Sequence, residues 1–402
     1  MTRQGFPINK NGWCPMLKSL EIKNFRSLEN FKVSKLGRVN LIVGMNNSGK
    51  SSVLEALRIY AGNAQRALLE EIAAGHDEKF RLRESELSES EMQFPFQDFF
   101  TGRMFPQSEG PGICIGELKE DADLLRIEHG FLHEVEEIVA DLLGTQENST
   151  RLRRQRISRV AAENIETGIV HPALFVGKGE RWSHIILDSF GQRFRPASFD
   201  TSGTLPCSVI PTQFISVDEL ADEWDKIVFT EYQEVVRKGL QIISPDFEDM
   251  VFVRNDDSAS TVRREFRRSA KVKLTATSRP VPLNSLGDGM LRVLQLILKV
   301  FPAKDGFLLI DEFENGLHFS VQEKVWALLF ELSEKLNIQI FATTHSWDCI
   351  ESFAKTACNY KEEGVLLRVG KSVRDSDRGK VIATVFDEQA LYNITQAEVE
   401  VR

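Results

Sequence analysis

The chain is poor in cysteine, with five in 402 residues at positions 14, 114, 207, 349 and 358. They are scattered, with no CxxC pair and no Cys/His ligand spacing. That pattern speaks against a disulfide framework and a zinc site, and for a reduced, cytoplasmic setting. Histidine is scarce too, at seven residues. Those at 76, 129, 133, 171 and 184 carry no ligand spacing. Long apolar runs are missing, and none approaches the ~20 residues of a membrane span. Residues 1–16 are polar and rich in Gly and Pro, without the apolar stretch of a signal peptide. Positive charge is in deficit: 50 Lys and Arg against 59 Asp and Glu give a net charge of −9. The molecule as a whole therefore repels nucleic acid, and any such binding must come from local basic patches. No internal repeat or low-complexity tract is present. What remains is a globular composition, 42% hydrophobic and 27% charged, long enough for about two or three domains.

The rest of the chain is organised around Val39-Asn-Leu-Ile-Val-Gly44-Met-Asn46-Asn47-Ser48-Gly49-Lys50-Ser51-Ser52. It reads as a buried strand, a loop and the start of a helix. The loop fits Gly-x4-Gly-Lys-Ser, a phosphate-binding pattern whose spacing has a physical reason. Gly44 and Gly49 permit backbone angles and close approaches that a Cβ would block. Successive N–H groups of the loop then face phosphate oxygens, helped by the partial positive charge of the helix N-terminus. Lys50 is expected to reach the β- and γ-phosphates, and the Ser51 hydroxyl to ligate Mg²⁺.

Three later stretches complete a candidate site. Ser285-Leu-Gly287-Asp-Gly289 precedes an apolar-periodic helix ending near Phe301, placing a hydroxyl and glycine N–H groups at a helix start, where an anion is favoured. Gly306-Phe-Leu-Leu-Ile-Asp311-Glu312 is a buried-strand pattern ending in two adjacent carboxylates. Asp311 is expected to hold Mg²⁺, directly or through water, and Glu312 to act as general base on the attacking water. Ile338 to Thr343-Thr344-His345 is another buried strand, ending in a histidine that in this motif order resembles the switch histidine of ABC-type ATPases, which implies contact with the γ-phosphate. Phe319 to Leu336 is the helix joining these two strands. His318 reads as a neighbour of a subunit seam and is assigned no chemistry.

Elsewhere, Leu17 to Phe25 and Arg26 to Leu36 alternate as strands, and residues 53–74 are helical by period. Residues 77–110 turn from charged to aromatic, with Gln97 or Gln93 either a sensor glutamine near the nucleotide or a surface residue. Residues 111–128 have strand character, whereas Phe131–Gly144 and Arg151–Thr167 read as an acidic and a basic helix. The basic one meets DNA or an acidic partner, or forms a solvated face against the acidic one. Residues 173–215 alternate as strands, and Asp218–Ile243 reads as one long amphipathic helix. Phe247–Arg254 and Lys271–Thr277 read as strands around the basic cluster Arg263–Arg268. Trp347–Cys358 reads as a helix, residues 365–386 as a hairpin, and Asp387 as the cap of a last helix. The expected division is an N-terminal ATPase lobe over 1–76, an inserted helical and β subdomain over 77–250, a C-terminal ATPase lobe over 251–364, and a terminal hairpin and helix over 365–402.

Together, Asn24-Phe-Arg26, Gly44–Ser52, Ser285–Gly289, Ile310-Asp-Glu-x-Glu-Asn-Gly-Leu-His318 and Thr344-His345 resemble the OLD-family ABC-type ATPases, relatives of RecF and SMC heads. The resemblance covers the two ends of the chain. It implies an α/β fold: an ABC-type P-loop ATPase core, a mixed sheet with flanking helices, carrying an inserted helical/β subdomain. It also implies an ATP hydrolase using ATP and Mg²⁺, with at least a dimer as the working form. In that form the γ-phosphate held by one chain meets Ser285, Gly287 and Gly289 of the other. OLD-family members typically carry a fused Toprim nuclease. Only 57 residues follow His345, so the expected arrangement is that of split anti-phage systems such as PARIS, in which a separate Toprim-type effector nuclease is controlled by the ATPase and triggered by DNA or a phage protein. The alternative is a RecF-like, ATP-gated DNA-binding protein in DNA repair.

Overall fold

The computed structural model describes residues 16–76, 80–81, 92–93, 95–106, 111–118, 124–138, 153–160, 169–187, 203–254, 268–360, 363–386 and 390–391. The chain divides into two compact units, one of residues 1–20, 31–62 and 203–402, the other of 21–30 and 63–202. No helix among the described residues is long and apolar enough to cross a membrane.

The first unit is built on a six-stranded sheet, in the order Cys207–Ile210, Phe307–Ile310, Gln339–Thr344, Val39–Val43, Gly364–Lys371 and Val381–Phe386. The first five strands run parallel and the last is antiparallel. Val39–Val43, Phe307–Ile310 and Gln339–Thr344 are buried at every position, as continuous apolar runs in a two-sided parallel sheet should be. Register then decides where the chemistry goes. Ile210 pairs with Ile310, Ile310 with Ala342, and Thr344 with Val43. Thr212, Asp311, His345 and Gly44 therefore all emerge at the carboxyl edge of one sheet, where α/β sheets place ligands. The helix Phe319–Lys335 connects Phe307–Ile310 to its parallel neighbour Gln339–Thr344.

The core under this edge is knitted by aromatics and buried polar groups. Phe313 stacks on Trp326 with ring centroids 3.8 Å apart. Asn40 and Gln339, both fully buried, tie the strand starts to the carbonyls of Gly37 and Leu17. Helices Val217–Ile227, Glu231–Gln241 and Asp288–Val300 contribute to the same core through Leu220, Val236, Leu240 and Val293.

Most of a seven-stranded sheet falls in the second unit; its spine is Arg181–Ile186, Ile169–Lys178, Leu125–Ile138, Ile113–Gly116, Leu20–Phe25 and Leu28–Val33. Arg153–Val160 pairs alongside Leu125–Ile138.

Several sequence expectations need correction. The two helices expected over 131–144 and 151–167 are strands where described. Phe131 lies opposite Val160 and Ile138 opposite Arg153, in an unbroken antiparallel ladder. Phe131, Leu132, Val135 and Ile138 are spaced as on a helix, but local spacing is a weak prior, and pairing with another strand overrides it here. The single helix expected over 53–74 is two, Lys50–Ala61 and Arg66–Gly75. Asn63 and Ala64 at φ of 51° and 46° break it. The helix expected over 218–243 is likewise two. Phe229 takes φ of 66°, and the Thr230 hydroxyl caps the second helix by accepting from Tyr232 N–H.

Two strands sit in sequence stretches read as peripheral. Cys207–Ile210 is the edge strand of the six-stranded sheet, and Gly364–Lys371 is an inner strand of it, pairing with Val39–Val43. Of the cluster 263–268, Arg268 is described: it bonds Asp225 at 2.7 Å and lies 3.3 Å from Asp222. Arg263 to Arg267 and Asp387 lie outside the described residues, as does most of the stretch expected to form the last helix.

Candidate active site

The phosphate loop leaves the sheet at Gly44. A Cβ there would lie 2.2 Å from the Val369 carbonyl oxygen of the neighbouring strand, so only glycine lets the loop start this close to the sheet. Gly49 caps the helix Lys50–Ala61 at φ of 101°, a left-handed conformation that glycine takes without strain. Asn47 is also left-handed, at φ of 59°. Met45, Asn46, Asn47 and Ser51 are exposed and Ser52 half-buried. Ser48 is buried, and its Oγ has no hydrogen-bond partner. The half-buried Lys50 donates to the carbonyls of Gly44 at 2.7 Å and Met45 at 3.0 Å. Burial holds its ammonium below the ordinary lysine range, opposed by the charges of Asp311, Glu312 and Glu314. A triphosphate fits this arrangement: backbone approaches close to where it would lie, a buried hydroxyl lacks a partner, and a partly desolvated cation sits at the mouth.

The Asp311 carboxylate and the backbone of Asp311–Glu312 are fixed by Thr343, Thr212 and Arg292. Thr343 Oγ1 donates to Asp311 Oδ1 at 2.6 Å and accepts from Glu312 N–H at 2.9 Å. Thr212 Oγ1 donates to Asp311 Oδ2 at 2.9 Å. Arg292, fully buried, donates to the carbonyls of Pro211 at 3.1 Å, Asp311 at 2.9 Å and Glu312 at 2.7 Å. Burial pushes its guanidinium down to about 10, opposed by Glu314, Asp311 and Glu312. Glu312 itself is left-handed, at φ of 47°, a strained conformation for a non-glycine residue that its neighbours must hold. Asp311 thus presents a pinned carboxylate toward the loop, and Ser51 with Asp311 are the residues that would hold Mg²⁺.

His345 Nδ1 lies 3.3 Å from Glu314 Oε1 and 3.7 Å from Glu312 Oε1. The structure therefore gathers Gly44–Ser52, Asp311, Glu312 and His345 at one sheet edge. Ser285 and Gly287 are exposed. The Ser285 hydroxyl donates to the Pro282 carbonyl at 2.6 Å, and Gly287 begins the helix Asp288–Val300 at φ of 89°. A Cβ on Gly289 would lie 3.2 Å from the Gly316 carbonyl, which places this turn beside the segment following the carboxylates. Gln97 sits half-buried in a short turn of the second unit, Phe96–Phe99.

Sequence reasoning assigned no role to Thr212, Arg292, Thr343 or Glu314. A threonine in a strand and an arginine in an apolar helix carry no motif. Glu314 did stand in a quoted run, two residues past Glu312. A cavity of about 340 Å³, lined by Trp224, Val236, Phe247 and Met250 among others, contains none of the site residues.

Family models and known proteins resemble this chain in part or over most of its length. Residues 16–138 match the family model described as an AAA ATPase domain. Residues 234–348 match the one described as "AAA domain, putative AbiEii toxin, Type IV TA system". An ATP/GTP phosphatase of Helicobacter pylori is 22% identical over 350 residues, covering 84% of this chain and 87% of that one. The DNA replication and repair protein RecF of Proteus mirabilis is 25% identical over 366 residues, covering 82% and 92%. Among solved structures, an SMC head bound to the C-terminal winged-helix domain of ScpA aligns over 94% of this chain and all of that one, at 15% identity and a TM-score of 0.46. Two segments of the chain are thus similar to AAA-type ATPase domains and most of its length is similar to RecF; these matches support ATP hydrolysis, on a mixed α/β fold that carries a phosphate loop.

Proposed function

We propose that this chain is an ATP-driven switch whose site is completed by a second copy of itself. Gly44, Asn46, Asn47, Ser48, Gly49, Lys50, Ser51 and Ser52 hold the triphosphate, with Lys50 leaving its loop carbonyls for the β- and γ-phosphates. Ser51 and Asp311 hold Mg²⁺, which supplies charge neutralisation on the phosphates when bound. Glu312 takes the proton of the attacking water, and His345 faces the γ-phosphate. Ser285, Gly287 and Gly289 face the nucleotide of the other copy, using the helix start as an anion site. One observation carries the reading: strand register brings Asp311, Glu312 and His345 to the edge where Gly44 opens the loop.

Glu312→Gln tests it. Hydrolysis should fall about 10²–10⁴-fold, the usual worth of a general base. ATP binding should survive, and the ATP-bound assembly should accumulate in light scattering. Hydrolysis at the parent rate would remove Glu312 from that role. Lys50→Ala should instead weaken ATP binding in calorimetry, since it deletes the charge facing the phosphates.

In the cell, the switch controls a separate effector, a Toprim-type nuclease held or released during defence against phage. Two features support this: the Glu314-Asn-Gly-Leu-His318 continuation, and the match of residues 234–348 to a model named for a toxin of a type IV TA system. Purifying the chain with its native gene neighbours tests it, and recovery without any nuclease would count against it. The similarity to RecF over most of both chains favours a second reading, ATP-gated DNA binding. ATP-dependent retention on DNA that falls steeply with salt would select it.

A further inference from the structure

We propose that Glu314 is a positioning residue that fixes the proton of His345 on Nδ1, leaving Glu312 free for the attacking water. The proposal rests on the reading above that His345 faces the γ-phosphate.

The geometry is specific. Glu314 Oε1 accepts the His345 backbone N–H at 3.1 Å and lies 3.3 Å from the ring nitrogen Nδ1 of the same residue. The Glu314 side chain is 12% exposed, against 35% for Glu312 and 54% for His345. Its other oxygen, Oε2, is buried without a hydrogen-bond partner. Its charge acts on both Lys50 and Arg292. A carboxylate this enclosed, clamped through a backbone N–H, has little freedom to turn to water. Glu312 is more open and lies 3.7 Å from the same ring nitrogen.

An ionised carboxylate only accepts, so Glu314 Oε1, 3.3 Å from Nδ1, favours the ring form that carries a proton there, and Glu312 at 3.7 Å adds to the same preference. In the neutral ring Nε2 is then bare and repels a phosphate oxygen. A phosphate contact at Nε2 requires the doubly protonated ring, whose charge the two carboxylates balance. Without Glu314, Glu312 becomes the ring's one carboxylate partner in this geometry and is drawn away from water. The two acids thus divide the work: Glu314 holds the histidine, and Glu312 serves the reaction.

The test uses the full chain with ¹⁵N-labelled histidine, without nucleotide, with the His345 ring signals assigned by their loss in His345→Ala. The parent should show the proton on Nδ1. Glu314→Leu should lose that preference, Glu314→Gln should weaken it, and Glu312→Gln should keep it. Glu314→Gln serves if the leucine variant fails to fold. Partners that orient a functional histidine are worth about 10–100-fold, so kcat should fall by that factor in Glu314→Leu with KM little changed. The double variant Glu314→Leu/His345→Ala should be no slower than His345→Ala alone, because the two residues act as a unit. Ring signals unaltered by both Glu314 variants, or losses that simply multiply, would overturn the proposal. Parent-rate hydrolysis in His345→Ala would instead sink the phosphate-facing role of the histidine, while the ring signals would still report whether Glu314 holds its proton.

Discussion

Two charge-rich stretches of this chain met opposite fates. At Asp311–Glu314, acids follow a strand buried at all four positions, and the structure is what the pattern implies. In 131–138 and 153–160, acids and arginines read as parts of a helical pair but form an antiparallel ladder, with Glu137 opposite Arg154 and Glu136 opposite Gln155. The difference lies in what surrounds each stretch. Phe307–Ile310 has strands on both sides and apolar side chains throughout, so one conformation buries it well and others do not. The ladder stretch has no such apolar pattern, so the choice between helix and strand falls to the partner it finds.

Experiments can sharpen this contrast, beginning with the largest effect. Arg292→Ala would leave the carbonyls of Pro211, Asp311 and Glu312 without that donor. A loss of about 3 kcal/mol or more is expected in urea unfolding, given the cost of unsatisfied buried groups. Parent-like stability would mean that the carboxylate turn is held by the strands alone. Thr343→Val keeps the shape but removes the bonds to Asp311 and Glu312. It should cost about 1–3 kcal/mol and lower hydrolysis as well. In the ladder, cysteines placed at 136 and 155 should crosslink on mild oxidation, since they face one another in register. Failure to crosslink would reopen the helical reading of that stretch.

The smallest effect concerns native thiols. Burial pushes Cys207 up to about 12, against 9.0 for an ordinary thiol, and Cys349 well above it. At pH 8, Cys207 should carry about 1,000-fold less thiolate than an ordinary thiol. Exposed Cys358 should therefore label before Cys207 and Cys349 in mass spectrometry. Labelling of Cys207 should rise as pH climbs toward 12. Equal rates at pH 8 would mean that this edge of the sheet opens readily.

Much of the site was legible because its signals are local. A glycine at 44 and another at 49, with Lys50 and Ser51 behind, specify a loop with little help from the rest of the chain. The paired acids at 311 and 312 announce themselves by ending an apolar run. Arg292 was silent, because its three acceptors are backbone carbonyls that leave no mark in sequence. Thr212 was silent for a related reason, lying 99 positions from the aspartate it serves. The helix breaks at Asn63 and Phe229 were missed because positive φ at a residue other than glycine has only a weak sequence signature.

The sequence by itself determined the phosphate loop, the apolar strands and the order of the motifs, because each is written in neighbouring residues through spacing and burial period. Only the tertiary structure decided that Gly364–Lys371 lies beside Val39–Val43, that 131–138 pairs with 153–160 as strands, and that Glu314 meets His345. Those outcomes depend on strand register and on contacts between residues far apart in the chain, which no local propensity encodes.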